Sequence, residues 1–292
     1  MIYFGADVGG QTIKMGLFGE DGKLRNKWAI RTRQEDGSRN IIPDIAKTIL
    51  EKLPAEGYDR SEIAGVGIAV PGPVDGNGCL EQCPNVKGWK NFYPARELSA
   101  ALDGISCRVL NDANAAALGE YTFGAGKAYD TMVMLTLGTG VGCGIILDGK
   151  MLSGKHGAAA ECGHMHVNDA ETEACGCGAK GCLEQYCTSR VIPKEVFDAA
   201  LAGDREAERR IDRAAHYLGI ALSDLTLTLD PDVFLFGGGI SAAGKYFTDK
   251  IFREYDSLLH DTSYRAEIRT AMLGNDAGIY GAMQYARAGA EG

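Results

Sequence analysis

Residues 1–23, MIYFGADVGGQTIKMGLFGEDGK, read as an apolar strand over 1–6, a turn at Asp7-Val8-Gly9-Gly10, a second strand over 12–18 and a closing turn at Glu20-Asp21-Gly22. The same figure returns about 130 residues later. Residues 131–137 are apolar and β-branched, Gly138-Thr139-Gly140-Val141-Gly142 turns, and 143–147 lead into Asp148-Gly149-Lys150, the ending already seen in Asp21-Gly22-Lys23. A recurrence at that separation predicts two lobes on one plan rather than a short-period solenoid.

Between the hairpins, the pattern predicts a helix near 40–52, a buried strand over 63–70 and a turn at Pro71-Gly72-Pro73-Val74-Asp75-Gly76. A strand over 106–110 runs into Asn111-Asp112-Ala113-Asn114 and an alanine-rich helix, a junction where Asn or Asp serves first as a helix cap. Further on, Ala207, Ile211, Ala214, Leu218, Ala221, Leu225 and Leu229 recur at helical spacing until Asp230-Pro231. A short strand over 233–236, Gly237-Gly238-Gly239 and another helix follow, with a terminal helix at 277–288. The expected division is a small lobe at 1–112, a larger lobe at 113–275 and a terminal helix at 276–292 that packs back on the small lobe. No low-complexity linker intervenes, which puts short hinges near 112–130 and 272–278.

A chain of 292 residues, 45% of them hydrophobic, can bury a sizeable core. Its net charge of -9 and pI near 5.1 argue against nucleic-acid and anionic-membrane partners, whose phosphates it would repel. The densest basic run, 205–213, interleaves Glu206, Glu208 and Asp212 and reads as a solvated helix face. No apolar run reaches the roughly 18 residues needed to span a bilayer, and the opening strand reads as no signal peptide, so a cytoplasmic location is expected. Nine cysteines, an odd number with three clustered, then point to reduced thiols and a metal rather than a disulfide framework.

His164, Cys175, Cys177 and Cys182 fall within nineteen residues of glycine-rich chain, the ligand set of a closed structural zinc site. Glu161 and Glu184 flank this knot and would be held by it, offering with His164 a ring of hydrogen-bonding groups suited to a sugar. His166 is read as a non-ligand because four ligands exist without it, and nothing requires His156. Cys162 and Cys187, near the knot, and Cys79, Cys83, Cys107 and Cys143, without metal spacing, are read as packing residues.

Glycine turns after strands let backbone N–H groups approach an anion, and three such turns are present. Asp7 in the first could hold a water-shelled magnesium ion beside phosphates. Asp112, where a strand gives way to a helix, is the candidate general base, and Asn111 beside it could grip a hydroxyl.

Taken together, Asp7-x-Gly9-Gly10, Asn111-Asp112-Ala113-Asn114, Leu137-Gly138-Thr139-Gly140-x-Gly142, Glu161-x-Gly163-His164 and Cys175-x-Cys177-Gly178-x4-Leu183-Glu184 resemble the ROK family (repressors, open reading frames, sugar kinases). Its bacterial ATP-dependent glucokinases are the members most similar, and the likeness spans nearly the whole chain. The resemblance implies an α/β, two-lobed actin-like ATPase (ribonuclease H-like) fold with a cleft between lobes, in which ATP with Mg2+ meets a hexose. It implies that Asp112 deprotonates the sugar's 6-hydroxyl, while Gly72, Asn111, Glu161, His164 and Glu184 hold the other hydroxyls. His164 would then give one ring nitrogen to zinc and the other to the sugar. Asp7, Gly9, Gly10, Thr12, Gly138, Thr139, Gly140, Gly238 and Gly239 would surround the nucleotide. A homodimer is implied as well.

The chain departs from the family at Gln11, where threonine usually follows the first Gly-Gly; Thr12, one place on, points to the other face of the hairpin. Glucose is the leading substrate, with N-acetylmannosamine, fructose, mannose and allose as alternatives. The family's sugar-responsive regulators carry an amino-terminal helix-turn-helix, for which a hairpin starting within the first ten residues leaves no room.

Overall fold

The computed structural model describes residues 1–83, 85–239, 243–260 and 264–290. It divides into two compact units: Met1–Phe123 with Ser153–Ala159 and Asn275–Gly292, and Gly124–Leu152 with Ala160–Gly274.

In the first unit, β1 (Ile2–Val8) pairs antiparallel with β2 (Thr12–Gly19), which pairs with β3 (Leu24–Arg31). Helix α1 (Ile41–Ala55) leads to β4 (Ile63–Val70), parallel to β1. A small hairpin of β5 (Leu80–Gln82) and β6 (Lys90–Phe92) and helix α2 (Pro94–Ala101) precede β7 (Cys107–Asn111), parallel to β4. The sheet order is β3-β2-β1-β4-β7. Ile41, Ile45 and Ile49 recur one helical turn apart on α1 and bury into the core with Phe4, Ile13 and Met15.

Helix α3 (Asp112–Phe123) follows β7 directly and stays with the first unit, so the division falls after Phe123 rather than at 112. The second unit repeats the plan. Strand β8 (Met132–Leu137) pairs antiparallel with β9 (Val141–Leu147), which pairs with β10 (Lys150–Met151). After α4 (Glu184–Cys187), α5 (Lys194–Leu201) and α6 (Arg205–Leu229), strand β11 (Val233–Gly237) lies parallel to β8. Helix α7 (Gly244–Leu258) then precedes β12 (Glu267–Thr270), parallel to β11. The order β10-β9-β8-β11-β12 matches the first sheet strand for strand.

The side chain of Asp204 caps α6 by accepting the N–H groups of Glu206 and Ala207, and Asp230 ends the helix in a left-handed conformation. Of the seven periodic positions expected to be core, all but the half-buried Leu229 are buried. Burial of each large aliphatic side chain contributes about 1.5–3 kcal/mol.

The terminal helix α8 (Ala277–Ala290) packs on β1, β4 and α3 within the first unit. Glycines allow the approach: a Cβ on Gly5 would lie 2.0 Å from the Ile279 carbonyl oxygen, and one on Gly67 1.7 Å from that of Ala282. The short excursion Ser153–Ala159 also belongs to this unit, because Gly157 sits against the Val74 carbonyl oxygen, 2.0 Å from where a Cβ would stand. No helix among the described residues is long and apolar enough to cross a membrane.

Candidate functional site

Parallel strands of an open sheet point their carboxyl ends the same way, and that edge is where ligands gather. In the first unit the register puts Asp7 beside Ala69 and Val70 beside Asn111, so Asp7, Gly72 and the Asn111-Asp112 pair emerge at one edge.

Asn111 caps α3: its Oδ1 accepts the N–H of Ala113 at 2.9 Å and of Asn114 at 3.0 Å. Its Nδ2 donates to the Gly72 carbonyl at 3.2 Å and to Asp112 Oδ1 at 3.1 Å. Both ends of the Asn111 side chain are thus engaged in building the turn, which holds it at this edge beside Asp112. Asp112 Oδ1 also takes the Ala113 N–H at 2.8 Å, so the carboxylate is oriented by its neighbours. Gly72 has φ 156°, and a Cβ there would stand 2.5 Å from the Gln82 carbonyl oxygen, which restricts the position to glycine.

Asp7 is largely buried, and burial raises its pKa above the ordinary carboxylate value, an effect partly offset by Lys14. Lys14 Nζ lies 3.4 Å from Asp7 Oδ2 and donates to the Asn275 carbonyl at 3.1 Å. A Cβ on Gly278, in the first turn of α8, would be 2.8 Å from Asp7 Cγ, so the carboxyl group abuts the amino end of that helix. The first glycine turn is pinned through its carbonyls. Thr32 Oγ1 donates to Gly9 O at 2.7 Å, Gln34 Nε2 to Gly10 O at 2.6 Å, and the Thr32 N–H to Gln11 O at 2.9 Å. Gln11 and Thr12 are both exposed at the tip.

In the second unit, Gly138, Thr139 and Gly140 form the turn between β8 and β9, closed by the Gly138 N–H to Gly140 O at 3.0 Å. Gly238 follows β11 with φ 84°, and a Cβ on it would lie 2.4 Å from the Leu137 carbonyl oxygen, so this turn seats against the end of β8. Gly239 beside it is exposed. Glu184, expected at a sugar hydroxyl, has Oε2 on the Val141 N–H at 2.8 Å, which ties it to the glycine turn.

The knot is compact. Cys177 Sγ and Cys182 Sγ are 3.6 Å apart, Cys175 Sγ is 3.9 Å from His164 Nδ1, and all four ligand atoms lie within 4.8 Å of one another. Tetrahedral zinc with Zn–S of about 2.3 Å sets sulfurs about 3.8 Å apart, so the donor set fits that ion in both chemistry and spacing. His164 turns Nδ1 to the sulfurs, and its backbone N–H closes a turn on the Glu161 carbonyl at 3.0 Å. A Cβ on the intervening Gly163 would lie 2.2 Å from the Val141 carbonyl oxygen, so this turn lies directly on the start of β9. His166 is no ligand: its ring nitrogens engage the Lys180 carbonyl at 2.9 Å and Asp169 at 2.8 Å.

Three participants escaped the sequence reading. Lys14 was available to it, because closing the hairpin at Gly9-Gly10 sets Asp7 opposite Lys14. Gln34 carries no local signal, and neither does Gln185, whose side chain braces the knot from the Cys182 N–H at 3.0 Å to the Glu173 carbonyl at 3.0 Å.

Comparison with known proteins places the chain in a family and a fold. The ROK family profile matches residues 3–288. A glucokinase of Halalkalibacterium halodurans is 35% identical, covering 96% of this chain and 93% of its own. The crystal structure of a ROK hexokinase from Thermus thermophilus superposes with a TM-score of 0.87 at 32% identity, covering 100% of this chain and 99% of that one. A ROK family glucokinase from Streptomyces griseus, solved in complex with glucose and AMPPNP, gives 0.80 at 31% identity over 99% and 100%. The chain belongs to the ROK family and has the fold of its sugar kinases.

Proposed function

We propose that this protein transfers the γ-phosphoryl group of ATP to the 6-hydroxyl of a hexose, with glucose the leading substrate. The observation that carries the reading is the full-length likeness to a glucokinase that holds glucose and AMPPNP. Asp112 accepts the proton of the 6-hydroxyl as that oxygen attacks the γ-phosphorus and the bond to ADP breaks. Its Oδ1 is held by Asn111 and Ala113, which supports an oriented base rather than a mobile one. A positioned base contributes about 10²- to 10⁴-fold in rate.

Gly72, Asn111, Glu161, His164 and Glu184 surround the remaining hydroxyls, Asn111 and Glu184 from positions fixed by their own hydrogen bonds to the protein. The glycine turns at Gly9-Gly10, Gly138-Thr139-Gly140 and Gly238-Gly239, with Thr12, serve the nucleotide phosphates. Asp7 supplies a single carboxylate, which suits a magnesium ion that keeps most of its water and is held chiefly by phosphates. When bound, that ion neutralises the developing charge on the phosphoryl oxygens. Zinc on His164, Cys175, Cys177 and Cys182 is structural, and with Nδ1 on the metal, Nε2 of His164 is the nitrogen that serves the sugar. The nine free cysteines accord with a reducing, cytoplasmic setting, and the assembly is a homodimer.

The test is a coupled ADP-release assay with MgATP across glucose, mannose, fructose, allose and N-acetylmannosamine. Glucose should give the highest kcat/KM, and 6-phosphate as product. Turnover of none of these sugars, or of another in preference, overturns the reading, and light scattering decides the dimer.

A further inference from the structure

On the outer side of β7, the last strand of its sheet, a cavity of about 670 Å³ opens between α2, the turn at Asp75 to Gly78 and α8. None of Asp7, Gly72, Asn111 or Asp112 lines it. Its size falls within the usual range for small-molecule sites, about 300–1,000 Å³.

Two arginines face into it, each held by an aromatic ring. The Arg108 guanidinium stacks on Tyr285 at 3.9 Å from the ring centroid and donates Nη1 to the Tyr285 carbonyl at 2.9 Å. Arg96 stacks on Tyr93 at 4.2 Å. Stacking fixes a guanidinium by its face and does not consume the N–H donors, which lie in its plane. Among the described residues neither arginine pairs with a carboxylate within 4.0 Å, although the chain carries a net charge of -9. Asp75 also lines the cavity as a carboxylate: its Oδ1 accepts the N–H groups of Cys79 at 2.8 Å and Asn77 at 2.9 Å, bonds that hold its pKa below the ordinary value, and its charge is felt by Arg96.

Two planar forks beside one carboxylate leave a net positive charge that suits an anion, and arginine recognises phosphate by paired N–H donors. The rest of the lining is mostly small, with Ser99, Ser106 and Asn77 offering polar groups among alanines and glycines. That surface suits a polyol. One face of Tyr285, the aromatic ring in the lining, is taken by Arg108. We propose that this cavity is a second ligand site, for a small phosphorylated sugar, with the phosphate monoester between Arg96 and Arg108 and the hydroxyls on Ser99, Ser106 and Asn77. The site is independent of the phosphoryl-transfer reading.

The test is isothermal titration calorimetry of the purified full chain with ribose 5-phosphate, with ribose as the uncharged control. One saturable site for the phosphate ester and none for ribose is expected. Arg96→Gln should weaken the binding about tenfold or more, as loss of a charge-assisted hydrogen bond does. Arg96 is exposed on α2, so this variant should fold as the parent does and keep its turnover with glucose and MgATP. Arg108→Gln should weaken binding at least as much, and a matched thermal melt separates that loss from loosened packing on Tyr285. Absence of saturable heat, or equal affinity in the parent and Arg96→Gln, overturns the proposal. A protein inactive toward hexoses that still binds ribose 5-phosphate through Arg96 would sink the kinase reading and leave this one standing.

Discussion

Glu184 Oε2 accepts the Val141 N–H at 2.8 Å, and the same oxygen stands 2.5 Å from where a Cβ on Gly140 would project. Glu184 comes two residues after Cys182 of the His/Cys cluster and opens α4, so one carboxylate links that segment to the second glycine turn. Geometry set by the sulfurs is thereby passed to the phosphate-type turn.

Glu184→Ala should therefore raise the KM for both hexose and ATP, lowering kcat/KM at least tenfold for each, because the Val141 N–H loses its acceptor. Glu184→Gln keeps an amide oxygen for that bond and should spare the ATP KM more than the hexose KM. Steady-state kinetics with each substrate varied in turn decide this; an ATP KM untouched by Glu184→Ala would show that the contact does not matter to the nucleotide.

Asp112→Asn should lower kcat by about 10²- to 10⁴-fold while the protein stays folded. The new amide oxygen can still accept from Asn111 and Ala113, the bonds that Oδ1 accepts now. Near-parental kcat in this variant would remove Asp112 from the role of base.

Metal analysis of protein purified without chelator should find about one zinc per chain. With Ellman's reagent at pH 8, the holoprotein should show few reactive thiols: burial pushes the Cys83 thiol up to about 11 and the Cys107 thiol up to about 12, and desolvation raises Cys187 still further. Chelation should expose three more, those of Cys175, Cys177 and Cys182, and weaken hexose binding. An unchanged thiol count after chelation would contradict a metal on these sulfurs.

Asp7 supplies a dependence on pH. Burial raises its folded pKa above the ordinary 3.8, so the folded state holds this proton more tightly than the unfolded chain does. Its contribution to stability is thus greatest below 3.8, declines as pH rises through the interval up to the folded value, and stays at its lower level beyond. Asp7→Asn should raise the melting temperature at neutral pH and abolish that decline, while cutting phosphoryl transfer at least 100-fold if Asp7 is the carboxylate proposed for magnesium. Denaturant melts across the acid range, set beside kinetics, read both effects; a less stable Asp7→Asn would mean that Lys14 outweighs burial.

Much of the architecture was legible in residue order. The recurring strand-glycine-strand figure foretold two sheets of one plan, because a hairpin's turn residues and alternating pattern are local properties. The spacing of Ala207 to Leu229 foretold the buried face of α6 for the same reason, and one histidine and three cysteines within nineteen residues foretold their clustering. Strand β3 was overlooked although its exposure alternates strictly, with Trp28 and Ile30 turned inward. Strand β12 is mostly exposed and polar, and nothing in its composition marks it.

What the sequence determined alone, then, were features whose causes lie within a few residues of one another: turns, caps, helical periodicity and the His/Cys cluster. Folding in three dimensions decided the rest. Which backbone group Glu184 meets and what holds Gly9 and Gly10 in place depend on partners far along the chain, and only packing brings these within bonding distance. A side chain has few donors and acceptors, and whichever neighbour the fold presents takes them first.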